Sequence, residues 1–204
     1  LSVGDINKIK NVAGIAEVDP LRMAAPDYIA GPNGEQYELM INPSPSAAGI
    51  ELIAGEDFSR HEAESRILIP NPYVEALGFA SPEDALGQTV VLGVTDMQGN
   101  RHTVEGVVAG VQEQTIMAFG MIVSRGLMNK LYAAQTTGLP AVVAMVYPMA
   151  TAELEPGMRS ADIARIKADL AEMGYFGSTV ADQMGVINTV INGIVGVLNA
   201  FAVI

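Results

Sequence analysis

The chain has 204 residues, half of them apolar, with 17% charged side chains and a mean hydropathy of +0.30. That is too apolar for intrinsic disorder, and the charge content falls well below the roughly 25% of an average soluble domain. Its 23 acidic and 11 basic side chains give a net charge of −12, which opposes binding to nucleic-acid phosphates or to an anionic membrane surface, and the lack of cysteine excludes disulfides, thiolate metal sites and cysteine nucleophiles.

Ser2-x-x-Asp5 has the form of a capping box, and it opens a short helix with Val3, Ile6 and Ile9 on one side and Gly14 just past its end. Ile15 to Val18 reads as a strand closed by Asp19-Pro20. Met23 to Ala30 and Glu35 to Ile41 flank Gly31-Pro32-Asn33-Gly34, which predicts a hairpin. The stretch Asn42-Pro43-Ser44-Pro45-Ser46 has the composition of a linker.

Short, well-punctuated elements follow. Arg66 to Ile69 predicts a strand stopped by Pro70, and Pro72 to Leu77 a helix with proline in its first turn and Gly78 after its end. Ser81 to Gly87 repeats that grammar. Thr89 to Thr95 and His102 to Val111 are β-rich runs joined by Asp96-Met97-Gln98-Gly99-Asn100, a second hairpin. Gly106 and Gly110 fall inside the second run, where glycine marks a bulge or a close approach. The middle of the chain is expected to be α+β with mostly antiparallel pairing.

Leu127 to Ala134 predicts a helix and Ala141 to Tyr147 a buried strand. Ser160 caps a helix with Ile163, Ile166, Leu170 and Met173 at helical spacing and Gly174 at its end. Tyr175 to Val180 reads as a further strand, giving a βαβ-type unit. From Gln183 to Ile204 there are 22 residues without a charge, of which 14 are apolar, three are glycine and five are polar. We read this run as a helix approaching a bilayer in a longer membrane protein; a buried core helix is the alternative.

Two features stand out as contact sites. Ile116 to Val123 is uncharged and rich in methionine. It is either a buried strand or an apolar lip for a partner or substrate, with Met117, Phe119 and Met121 as contacts. On the final helix, Gly185, Asn188, Asn192, Gly196 and Asn199 fall within a sector of roughly 80° at helical spacing. This stripe would either pack against another membrane helix or face water. Catalytic patterns are missing: His61 and His102 have no second histidine at ligand spacing, and there is no nucleophile elbow, phosphate loop or dinucleotide fingerprint. The acidic group Glu51, Glu56, Asp57, Glu62 and Glu64 fits no calcium-loop spacing and reads as a solvated face.

The runs Gly49 to Phe58, Arg66 to Pro70 and Ala76-Leu77-Gly78-Phe79, followed by Leu86 to Leu92 and Val104-Glu105-Gly106-Val107-Val108, resemble the extracytoplasmic domain of FtsX/MacB-type ABC transporter permeases. The closing Val190 to Ile204 is similar to the helix that enters that family's second membrane span. The resemblance implies a porter-like subdomain built from residues 1–44 and 113–182, an inserted β-rich subdomain at 45–112, and a stalk helix at 183–204. It also implies a non-catalytic domain on the outer side of the cytoplasmic membrane, relaying ATP-driven movement of the spans to a peptide, drug or lipoprotein cargo, or to a cell-wall hydrolase. The implied partners are a cytoplasmic ATPase subunit and a second permease chain. The domain itself would carry no cofactor, since ATP and magnesium belong to the ATPase. A free-standing extracellular binding domain and a cell-wall or peptide hydrolase are the rival readings.

Overall fold

The computed structural model describes residues 1–43, 50–59, 62–114, 120–140, 145–182, 184, 185 and 189. It is an α+β chain that divides into two compact units, one of residues 1–3 and 20–151, the other of residues 4–19 and 152–204.

The larger unit is built on an eight-stranded mixed sheet. Its strands are β2 (Tyr28–Ala30), β3 (Gln36–Tyr37), β4 (Ile41–Pro43), β5 (Leu52–Gly55), β6 (Arg66–Pro70), β7 (Thr89–Thr95), β8 (Arg101–Gln112) and β9 (Met121–Val123). They run in the order β3-β2-β7-β8-β6-β9-β4. The 12-residue β8 organises the sheet. Along one edge it pairs antiparallel with β7 from Arg101 to Val107, then with β5 from Gly110 to Gln112. Along the other it pairs with β6 from Val107 onward. Only β6/β8 and β4/β9 pair in parallel and the other five described pairings of this sheet are antiparallel, so the pairing is mostly antiparallel, as expected.

Alternation places Ile67 and Ile69 of β6 in one core and Leu68 in another, and all three are fully buried. The larger core gathers Ile29, Leu77, Leu92, Met121, Leu127 and Leu131. The smaller holds Phe58, Leu68, Ala109 and Ile122. Helix α4 (Arg125–Gln135) lies over β6, β7 and β8. A Cβ at Gly106 would stand 2.8 Å from the Leu127 side chain, so glycine there lets the helix close on the sheet. Gly110 takes part in the register shift between β6 and β8.

The short helices follow their sequence signals. α2 (Pro72–Ala76) begins with proline and is followed by Gly78 at φ +92°; α3 (Pro82–Ala85) is capped by Ser81, whose hydroxyl accepts from the Asp84 N–H at 3.1 Å. Ser124 caps α4 in the same way and also accepts the Arg66 N–H at 3.0 Å, fixing the helix start to β6.

The smaller unit contains all but the first residue of α1 (Val3–Lys10), most of β1 (Ile15–Leu21), the end of β10 (Met149–Leu154) and α5 (Ser160–Glu172). β1 and β10 form a two-stranded sheet, and the Glu155 N–H reaches the Gly14 carbonyl at 3.0 Å.

Several expectations need correction. The β-rich unit runs from 20 to 151 rather than 45 to 112, because β2 pairs with β7 and β4 with β9, which draws both flanks into the sheet. Among the described residues no βαβ unit forms at the C-terminal side. Residues 175–179 are irregular, since the Tyr175 N–H closes the end of α5 on the Leu170 carbonyl. Of the strand expected at 141–147, residues 141–144 lie outside the described part and 145–147 are not in a strand; β10 starts at Met149. Ser160 is the first residue of α5 rather than its cap, and the Asp162 carboxylate accepts the Arg159 N–H at 3.1 Å instead.

Candidate functional site

Among the described residues no group of three His, Cys, Asp or Glu side chains is placed to hold a metal ion. Polar chemistry is concentrated in the β7–β8 hairpin, an arginine clamp and the ties of the smaller unit.

In the hairpin, Asp96 opens the turn and its side chain is fully enclosed. Its Oδ1 accepts the N–H groups of Gln98 and Asn100, each at 2.8 Å, and its Oδ2 stands 2.9 Å from His102 Nε2. The His102 hydrogen bond holds the Asp96 carboxyl far below the usual carboxylate range. Burial opposes that shift, and the Asn100 and Gln98 donors reinforce it. Every acceptor position is used to lock a turn, which leaves no free base and makes His102 a structural partner. His61 lies outside the described residues.

Arg22 sits against two rings of the larger unit, 5.7 Å from the Tyr132 centroid and 5.8 Å from that of Tyr147. Its Nη1 donates to Asn129 Oδ1 at 2.9 Å. Nothing in the local sequence announces this clamp, whose members lie more than 100 residues apart. Gln112 is fully buried and donates to the Gly120 carbonyl at 2.7 Å, fixing the approach to β9.

The acidic group noted in the sequence is dispersed into local bonds. Glu56 pairs with Arg66 at 2.8 Å, Asp57 accepts its neighbour Phe58 N–H, and Glu62 accepts the Glu64 N–H.

In the smaller unit the Tyr175 hydroxyl donates to Asp5 Oδ1 at 2.7 Å, which joins α1 to the segment after α5. That bond, with burial and the Asp5 charge, raises the Tyr175 pKa. Asp182 accepts from Lys167 Nζ, from the Thr179 N–H and from the Thr179 hydroxyl. The lysine first, then the threonine donors, hold its carboxyl far below the ordinary range. Thr179 and Asp182 together cap a helical turn beginning at residue 180, and that pattern was readable as Thr-x-x-Asp.

Of the proposed contact residues, Met121 is fully buried in β9 beside β4 and β6. The three residues of β9 are all core, so this part of the Ile116–Val123 run follows the buried-strand alternative and Met121 is not an exposed contact. Met117 and Phe119 lie outside the described residues, as do Asn188, Asn192, Gly196 and Asn199. Gly185 is described, and the space where its Cβ would stand is open. Among the described residues no helix is long and apolar enough to cross a membrane.

No protein-family model matches the sequence, and no curated protein matches it. Among solved structures, the chain is similar to the extracellular domain of a noncanonic ABC-type transporter, YknZ, from Gram-positive bacteria. That match has 14% identity and a TM-score of 0.49, and covers 82% of this chain and 78% of the other. It is also similar to a domain of a permease protein from Porphyromonas gingivalis, at 14% identity and a TM-score of 0.44, covering 86% and 84%. With TM-scores this low and identity this slight, the two similarities carry no functional assignment.

Proposed function

We propose that the chain is the extracytoplasmic, non-catalytic domain of an ABC transporter permease, and that it relays ATP-driven movement of membrane spans to a cargo or an outer partner. The observation that carries the reading is the joining of the chain's two flanks. Residues 4–19 and 152–182 fold into one unit, tied by the Tyr175–Asp5 bond and by Glu155 on Gly14. A displacement entering through the segment after Asp182 is therefore shared by the opening helix, which the Tyr175–Asp5 bond joins across 170 residues of sequence. The permease-like motifs support the same reading as structural parts. Arg66–Pro70, Leu77-Gly78-Phe79 and Val104–Val108 contribute core strands and a turn, as parts of a lever would.

The cargo class is a peptide, drug or lipoprotein, and the partners are a cytoplasmic ATPase and a second permease chain. The test is made on the intact membrane protein. It should copurify with an ATPase, and spin labels on Thr137→Cys in each protomer, placed in these 204 cysteine-free residues with any cysteine elsewhere in the protein replaced, should report a different spacing when ATP is added. An intact protein that holds no ATPase and shows one spacing in every nucleotide state would overturn the reading.

A further inference from the structure

Among the described residues of the smaller unit, four large apolar side chains are exposed. Met173 is 39% exposed, Phe176 94%, Val180 52% and Met184 40%. Phe176 is nearly fully exposed in the irregular stretch after α5, beside Gly177, where a Cβ would meet the Leu170 side chain at 3.2 Å. Val180 and Met184 are four apart in the helical turn capped by Thr179 and so lie on one face.

Charge distribution indicates what covers them. From Gly174 to Ile204 the only charged side chain is Asp182, and Lys167 together with Thr179 occupies it. The 22 uncharged residues from Gln183, read above as a helix approaching a bilayer, would bring the end of the smaller unit to the membrane surface. In sequence, Val180 and Met184 continue the three- and four-residue spacing of Ile187, Ile191, Ile194 and Leu198. Four side chains are too few for a stable contact between two copies, which needs about 800 Å² on each partner. They are enough for an interfacial anchor, where burial in the head-group boundary scales with apolar area. The net charge of −12 favours a zwitterionic surface over an anionic one.

We propose that Met173, Phe176, Val180 and Met184 form a lip that embeds in the head-group region of a zwitterionic bilayer and seats the smaller unit on the membrane. The proposal rests on the membrane-permease reading of residues 183–204. The chain holds no tryptophan, so Phe176→Trp and, separately, Phe201→Trp each supply a single reporter.

Each variant of the full chain is reconstituted in phosphatidylcholine vesicles brominated either high on the acyl chain or near its end. The expected result is a blue-shifted F176W emission, quenched more by the shallow bromine, with F201W quenched as well. Phe176→Ser should weaken partitioning of the chain onto the vesicles about tenfold. If F201W is quenched while F176W keeps a water-like, unquenched emission, the lip is overturned and the membrane reading stands. If neither is quenched, both fall. A blue shift of F176W without bromine quenching, growing with protein concentration, would assign the lip to a second copy and overturn the lipid proposal.

Discussion

Tyr175 and Asp5 stand 170 residues apart in sequence and 2.7 Å apart in space, and their hydrogen bond fastens the opening helix to the chain that leaves α5. Tyr175→Phe removes the hydroxyl with little change of shape. One such bond is worth about a 2–4 °C fall in Tm for a chain of this length. The folded Tyr175 pKa is raised above its ordinary value near 10, because the bond to Asp5 favours the neutral phenol. Its contribution is therefore fully present below about pH 10 and lost as pH rises through the folded value. Urea melts of wild type and Y175F should differ at neutral pH and converge at strongly alkaline pH.

Asp96 gives the opposite sign. Its folded pKa is depressed, chiefly by His102, so its contribution is present above the unfolded value of about 4 and disappears as pH falls through the folded one. Asp96→Asn keeps the size of the side chain but loses the charge and one acceptor oxygen. The variant should be less stable than wild type at pH 6, and the gap should narrow in acid. Denaturant midpoints from pH 6 down to pH 2 check this, and a constant gap across that range would contradict it.

Much of the larger unit was legible because its signals are local. Proline at the first turn of α2, serine before α3 and Gly99 after Asp96 each act within four residues, and each sits where the sequence places it. Tyr175 to Val180 misled for a related reason. The run has β-forming composition, but the backbone after Gly174 (φ +83°) is spent closing α5, and Thr179 is already capping the next turn. Boundaries between units were illegible because they depend on pairings such as Ile29 with Leu92 and Asn42 with Ile122, which no local pattern reports. The Arg22 clamp was hidden for the same reason, its partners Asn129, Tyr132 and Tyr147 lying across the whole unit.

Met121 distinguishes a core residue from a contact residue. It is fully buried, its N–H bonds to the Met40 carbonyl at 2.8 Å, and β9 lies between β4 and β6. Met121→Ala should leave a cavity and cost about 2–5 kcal/mol. Met121→Leu conserves volume and should cost less than about 1.5 kcal/mol. Chemical denaturation of the two variants checks the pair, and a neutral M121A would return this side chain to the surface.

Gly126, in the first turn of α4, tests how closely that helix is held. A Cβ there would stand 2.0 Å from the Ala63 carbonyl oxygen, a backbone atom with no rotamer to escape into. The Gly126 N–H also donates to the Glu62 carbonyl at 2.9 Å, so the segment before β6 cannot retreat without breaking that bond. Alanine would ordinarily improve a helix by up to about 1 kcal/mol over glycine. Here overpacking should win, and Gly126→Ala should destabilise by about 1–3 kcal/mol. Gly185→Ala supplies the contrast, since the space at its Cβ is open and the residue lies in a helical turn. Measured in the same buffer, G185A should be neutral or stabilising while G126A unfolds earlier. A stabilised G126A would mean that α4 does not sit as close to Ala63 as the geometry requires.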